Sequence, residues 1–143
     1  MIPLPKDQLM TLNPDDTRFD QEPIFAGIRG AWQLCVAALC YEYGSVRYHR
    51  SVIKTLLELY TSETLKDASI AELVVIVRVR KPVPFLSRLL KFNDAWLGDW
   101  HDLRELPGCG VFVCDVVGLF GFGCRDVNGS EPIITKYLEQ FDE

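Results

Sequence analysis

A chain of 143 residues can build one domain with a sizeable core, and 48% hydrophobic with 24% charged residues is a globular rather than a disordered balance. No run of about 18 apolar residues occurs, which excludes a membrane-spanning helix, and the opening MIPLPKDQLM has no long apolar segment of secretory type, so an intracellular protein is expected. The net charge of −5 does not favour a polyanion-binding protein, but it is unevenly spread: Arg47 to Lys91 carries +5 and the remainder −10. That basic middle is either a phosphate-facing surface or a set of solvated helix faces.

In chain order, residues 1–25 hold Pro3, Pro5, Pro14 and Pro23 among Asp and Asn, and read as an extended arm wrapped over a domain of residues 26–143. Ala31 to Tyr43 (AWQLCVAALCYEY) has only Gln33 and Glu42 as strongly polar members, the composition of a helix at the centre of a bundle. Gly44 stops it and Ser45 caps the next helix, Val46 to Tyr60. There Val52, Ile53, Leu56, Leu57 and Tyr60 form one face, with Arg47, Arg50 and Lys54 opposite. Ser69-x-x-Glu72 reads as a capping box. Leu73 to Arg80 (LVVIVRVR) is β-branched enough for a strand, but no second strand-like run exists to pair with it, so a helix is expected. Pro82 and Pro84 punctuate. Phe85, Leu86, Leu89, Leu90, Asn93, Trp96 and Leu97 then give an amphipathic helix ending at Gly98.

Asp99 to Glu105 reads as a short helix capped by Asp99, and Pro107 cannot continue it. Gly108 and Gly110 permit turns and close approaches that a Cβ forbids. Val111 to Phe120 (VFVCDVVGLF) then resumes as a helix apolar nearly all round, and therefore buried. Two helices joined by Leu106-Pro107-Gly108-Cys109-Gly110 form a helix-hairpin-helix, whose glycines offer main-chain N–H groups to a phosphate. An ordinary glycine turn between packed helices would share that pentapeptide. After the Gly121-Phe122-Gly123 break and a loop to Ser130, a last helix runs from Glu131 to Phe141 with Pro132 early in it. The expected fold is all-α, with six or seven helices. Five cysteines make an odd count with no C-x-x-C, so neither a disulfide framework nor a zinc or iron–sulfur site is expected.

Several stretches in this order carry a resemblance: Ala31-Trp32-Gln33-Leu34, Arg88 to Leu97 (RLLKFNDAWL), Glu105 to Gly110, Asp115, Leu119-Phe120 and Lys136-Tyr137. Over about Phe25 to Leu138 the chain resembles the helix-hairpin-helix DNA glycosylase superfamily. Within it, the likeness is greatest to the thymine glycosylase domain of methyl-CpG-binding-domain proteins. The resemblance implies duplex DNA as partner, a monomer without an iron–sulfur cluster, and no cofactor, with a monovalent cation at the hairpin carbonyls as the one option. It implies DNA contacts from Leu106, Pro107, Gly108, Cys109 and Gly110, and from Tyr43 and Ser45 in the segment where relatives insert side chains into the duplex.

The same resemblance implies a catalytic acid after the hairpin's second helix. Counted back from Lys136-Tyr137 it falls on Glu131, with Asp126 as the fallback; a first-turn acid favoured by the helix dipole would look the same. A carboxylate there suits N-glycosidic cleavage, which develops positive charge on the sugar. Relatives usually carry Asp, so Glu reaches one methylene further. Phe112 stands where bifunctional relatives carry the Schiff-base lysine, so a monofunctional enzyme is implied. Tyr41 and Phe112 are candidate pocket walls. The function expected first is release of a pyrimidine, whether thymine, uracil or a modified thymine. A phage-type thymine-modifying transferase on the same fold, or a non-catalytic DNA-binding protein, is the alternative.

Overall fold

The uninterrupted apolar run after Gly30 becomes the axis of the domain. In the computed structural model, which describes residues 3–12, 28, 30–43, 46–124, 127, 129 and 131–139 (the backbone alone at 46–49 and 137), helix α2 spans Ala31–Tyr41. Every side chain from Ala31 to Cys40 except Gln33 is buried. A helix apolar on all sides needs neighbours on all sides. It packs against α3 (Val46–Leu59), α6 (Pro82–Trp96) and α7 (Val111–Val116). The polar exceptions in this core are satisfied: Trp32 Nε1 donates to Asn93 Oδ1 at 2.9 Å, and Asn93 Nδ2 donates to the Ser62 carbonyl at 2.9 Å, tying α2, α6 and the single turn α4 (Ser62–Leu65) together.

The described residues hold eight α-helices and no strand, so the all-α expectation stands, with two single-turn helices, α1 (Lys6–Leu9) and α4, that periodicity does not detect. In α3 the expected face turns inward: Val52, Ile53 and Leu56 are buried, while Arg50 and Lys54 are exposed. The capping box at Ser69 is only half formed. Ser69 Oγ accepts from the Glu72 N–H at 3.1 Å, but the Glu72 carboxylate is taken by the Tyr60 hydroxyl at 2.5 Å. The reciprocal box lies one turn earlier, between Thr61 and Thr64.

Three expected boundaries move. Helix α5 covers Ile70–Ile76, so Leu73 to Arg80 is helical only in its first half. From Val77 the chain is extended, with Val77 buried and Arg78 and Arg80 exposed, because β-branched residues favour that conformation and Pro82 lies just ahead. Lys81 turns the chain at φ 54°, and Pro82 opens α6 at its first position, so the prolines start this helix rather than precede it. Asp99 to Glu105 is not a helix, so the expected helix-hairpin-helix lacks its first helix and only the turn and the helix after it are present. A single 3-10 turn, Leu103–Glu105, is capped by Asp102 in place of Asp99. Finally, α7 passes into a π-helical turn, Val117–Gly121, and Phe112 to Phe120 are all buried, as the apolar run requires.

The N-terminal residues dock on the segment before the hairpin. Leu4 and Leu9 are buried in the core. The Leu4 N–H donates to Asp102 Oδ2 at 3.0 Å, the Leu103 N–H to the Leu4 carbonyl at 2.9 Å, and the Lys6 N–H to the His101 carbonyl at 2.9 Å. The last helix, α8, runs Pro132–Glu139, with Ile134 buried.

Candidate functional site

The hairpin is built from its turn outward. Glu105 closes the 3-10 turn by accepting from the Asp102 N–H at 3.1 Å, and Leu106 leaves it in extended conformation. The Cys109 N–H then returns to the Leu106 carbonyl at 3.1 Å. Gly108 has φ +82°, the left-handed region, and an added Cβ would press on Leu39 Cδ2 at 3.2 Å and Arg88 Cγ at 3.3 Å. Gly110 differs from the expectation: its φ is −81°, and a Cβ there would meet nothing within 4 Å. That position is glycine although neither backbone nor neighbours require it, and it opens onto a cleft.

The cleft encloses about 720 Å³. Its walls are Leu106, Gly108, Cys109, Gly110, Val111 and Phe112 from the hairpin, Tyr41 and Glu42 from the end of α2, Arg88 from α6, and Glu131 just before α8. Tyr41 and Phe112, both in the lining, stack with ring centroids 5.2 Å apart and planes 30° apart and form an aromatic part of the wall. Of the residues singled out in the sequence, Tyr41, Leu106, Gly108, Cys109, Gly110, Phe112 and Glu131 thus come together. Pro107 is exposed on the turn and Tyr43 stands outside the wall, its ring 5.1 Å from that of Phe85. Ser45 and Asp126 lie outside the described residues.

Arg88 is the cleft residue that sequence reasoning missed, and its partner there is Glu42, whose charge beside DNA would repel phosphate. Arg88 Nη1 lies 3.4 Å from Glu42 Oε2, and the guanidinium sits 5.2 Å from the Tyr43 ring centroid. Burial raises the Glu42 carboxyl above its ordinary value, Arg88 draws it back down, and the charge of Glu131, which lines the same cleft, pushes it up again. The basic middle of the sequence also resolves: its other described cationic side chains, including Arg50, Lys54, Lys66, Arg78, Arg80, Lys81 and Lys91, are exposed, and Arg88 alone among them lines the cleft.

Behind the hairpin the thiols are packing groups. Cys114 Sγ donates to the Cys109 carbonyl at 3.7 Å, and burial pushes its thiol up to about 12. Cys35 is raised by burial and by its neighbour Cys109, and Cys40 by burial. Thiols so raised are poor nucleophiles. Among the described residues no group of three His, Cys, Asp or Glu side chains could hold a metal ion, and no helix is long and apolar enough to cross a membrane. Compared with protein-family models, with curated proteins and with solved structures, the chain matches none.

Proposed function

We propose that the cleft receives a nucleotide extruded from duplex DNA and that the chain is a monofunctional glycosylase releasing a pyrimidine base. The observation that carries this reading is the convergence of the hairpin, an aromatic wall and Glu131 on one open cleft from segments distant in sequence. The hairpin main chain at Gly108 to Gly110 takes a backbone phosphate, with Gly110 leaving room for it. The stacked Tyr41 and Phe112 offer one face to the flipped base. Glu131 stabilises the positive charge that develops on the sugar as the N-glycosidic bond breaks, and water completes the hydrolysis. Phe112 has no amine to form a Schiff base, so the product is an intact abasic site.

The test is base release from duplexes carrying G·T, G·U and modified-thymine pairs. The expected result is alkali-sensitive abasic sites with no borohydride-trapped adduct. Release from none of them overturns the glycosylase reading in favour of a thymine-modifying transferase or a protein that binds DNA without cleaving it.

A further inference from the structure

Among the described residues, Arg88 forms its ion pair with a carboxylate of its own chain. Arg88 Nη1 meets Glu42 Oε2 at 3.4 Å, with 42% of one side chain and 30% of the other exposed. The contact spans 46 positions of sequence, from the end of α2 to the middle of α6. The Arg88 stem passes close over the hairpin turn: its Cγ and Cδ lie 3.3 and 3.4 Å from where a Gly108 Cβ would stand. Its guanidinium is held from the side by the Tyr43 ring at 5.2 Å. A cation so placed stands beside the hairpin turn, and both it and Glu42 line the cleft that Glu131 shares.

An ion pair this open is worth little on its own. It is therefore readily exchanged for a better anion. We infer that Arg88 is the side chain that meets a backbone phosphate of DNA in the cleft, and that Glu42 occupies its guanidinium until that phosphate arrives. The inference rests on the DNA-binding part of the function proposed above. Glu42 then acts as an internal competitor. It sets a threshold that a weakly bound anion does not cross, and Glu131 beyond it adds to the repulsion of anions that fail to engage Arg88.

The experiment is duplex binding followed across a salt series for the wild type, Arg88→Met, Glu42→Gln and the double variant, each checked for native helix content by circular dichroism. Methionine keeps the aliphatic stem that packs on Gly108. Arg88→Met is expected to weaken binding on the order of tenfold and to lower the slope of log K against log salt by about 0.9, the loss of one phosphate contact. Arg88→Lys is expected to restore most of that slope. Glu42→Gln is expected to tighten binding about threefold, the size of an exposed ion pair. In the double variant that gain disappears, because no guanidinium is left to release.

A gain that persists undiminished in the Arg88→Met background overturns the competition and reduces Glu42 to a repelling charge. An unchanged slope in Arg88→Met, with salt-dependent binding by the wild type, sinks the Arg88 assignment while leaving the DNA reading intact. Wild-type protein without salt-dependent binding sinks both. Thymidine monophosphate serves as the control ligand: if it depends on Arg88 and the duplex does not, the phosphate is a free nucleotide's and the assignment to the DNA backbone is refuted.

Discussion

A methyl group added at Gly108 would sit on a backbone at φ +82° and press on Leu39 and the Arg88 stem, whereas one added at Gly110 would meet nothing within 4 Å. Gly108→Ala is therefore expected to cost about 1–3 kcal/mol in chemical denaturation, the range for a side chain forced into the left-handed region. Gly110→Ala should stay within about 0.5 kcal/mol of wild type, as a surface change does. Its effect belongs to binding: the new methyl occupies the space proposed for a phosphate, so duplex affinity measured by fluorescence anisotropy should fall while stability holds. Unchanged affinity in Gly110→Ala would make the hairpin a packing turn. The two glycines read identically in L-P-G-x-G, because spacing cannot say which one faces a neighbour and which faces a cleft. Arg88 is hidden for a similar reason. Its own helix shows it only as a cation between apolar positions, and its partners Glu42 and Gly108 arrive through the tertiary fold.

At the scale of elements, the 3-10 turn before the hairpin is held by two carboxylates, Glu105 and Asp102, of which Asp102 also ties down the N-terminal segment. Asp102 accepts from the Leu4 N–H at 3.0 Å, from the Arg104 N–H at 3.0 Å and from Arg104 Nε at 2.8 Å. The Arg104 hydrogen bond is the main reason that its pKa falls to about 2. An aspartate in the unfolded chain titrates near about 3.9. Its stabilising contribution is thus fully present above about pH 4 and is lost as the pH falls toward 2. Asp102→Asn should destabilise the protein by about 1–2 kcal/mol at neutral pH, the scale of hydrogen bonds to a charged group. Denaturation series at pH 7, 4 and 2 should show the gap between variant and wild type closing only at the acid end. A gap independent of pH would mean that the N-terminal segment is not held through this charge. The expected cap, Asp99, and the observed one, Asp102, both precede an apolar position. The local pattern Asp102-x-x-Glu105, a capping box, marks Asp102, and the docking of Leu4 adds to it. The early end of α5 at Ile76 was marked locally too: β-branched Val77 and Val79 and the approach to Pro82 were visible and were outweighed by the lack of a pairing strand.

For the whole molecule, burial around α2 decides which thiols can react. Cys35, Cys40, Cys109 and Cys114 are buried, and Cys124 is half-buried. Burial raises Cys35 and Cys40 and pushes Cys114 up to about 12, so little thiolate forms at pH 8. Alkylation of the native protein followed by peptide mass mapping should label Cys124 first, with Cys35, Cys40 and Cys114 reacting at the rate of unfolding. Rapid labelling of Cys40 would contradict a central α2. This helix was legible from sequence because an apolar surface on every side has one solution, the middle of a bundle. The all-α class was legible for the same reason, whereas the cleft was not: it joins the end of α2, the middle of α6, the hairpin and the residue before α8, and only the packing of those four around one axis brings them together.

The proposed place of Glu131 at the reacting sugar is tested by base release from G·T, G·U and modified-thymine duplexes, wild type against Glu131→Gln. Removing one well-placed group that stabilises developing charge typically costs on the order of 10²–10³ in rate. The variant is isosteric, leaves the hairpin untouched and removes a charge that repels anions, so it should bind the duplex at least as tightly as the wild type while release falls by about that factor. Equal release by the two proteins would contradict the assignment and shift it to Asp126.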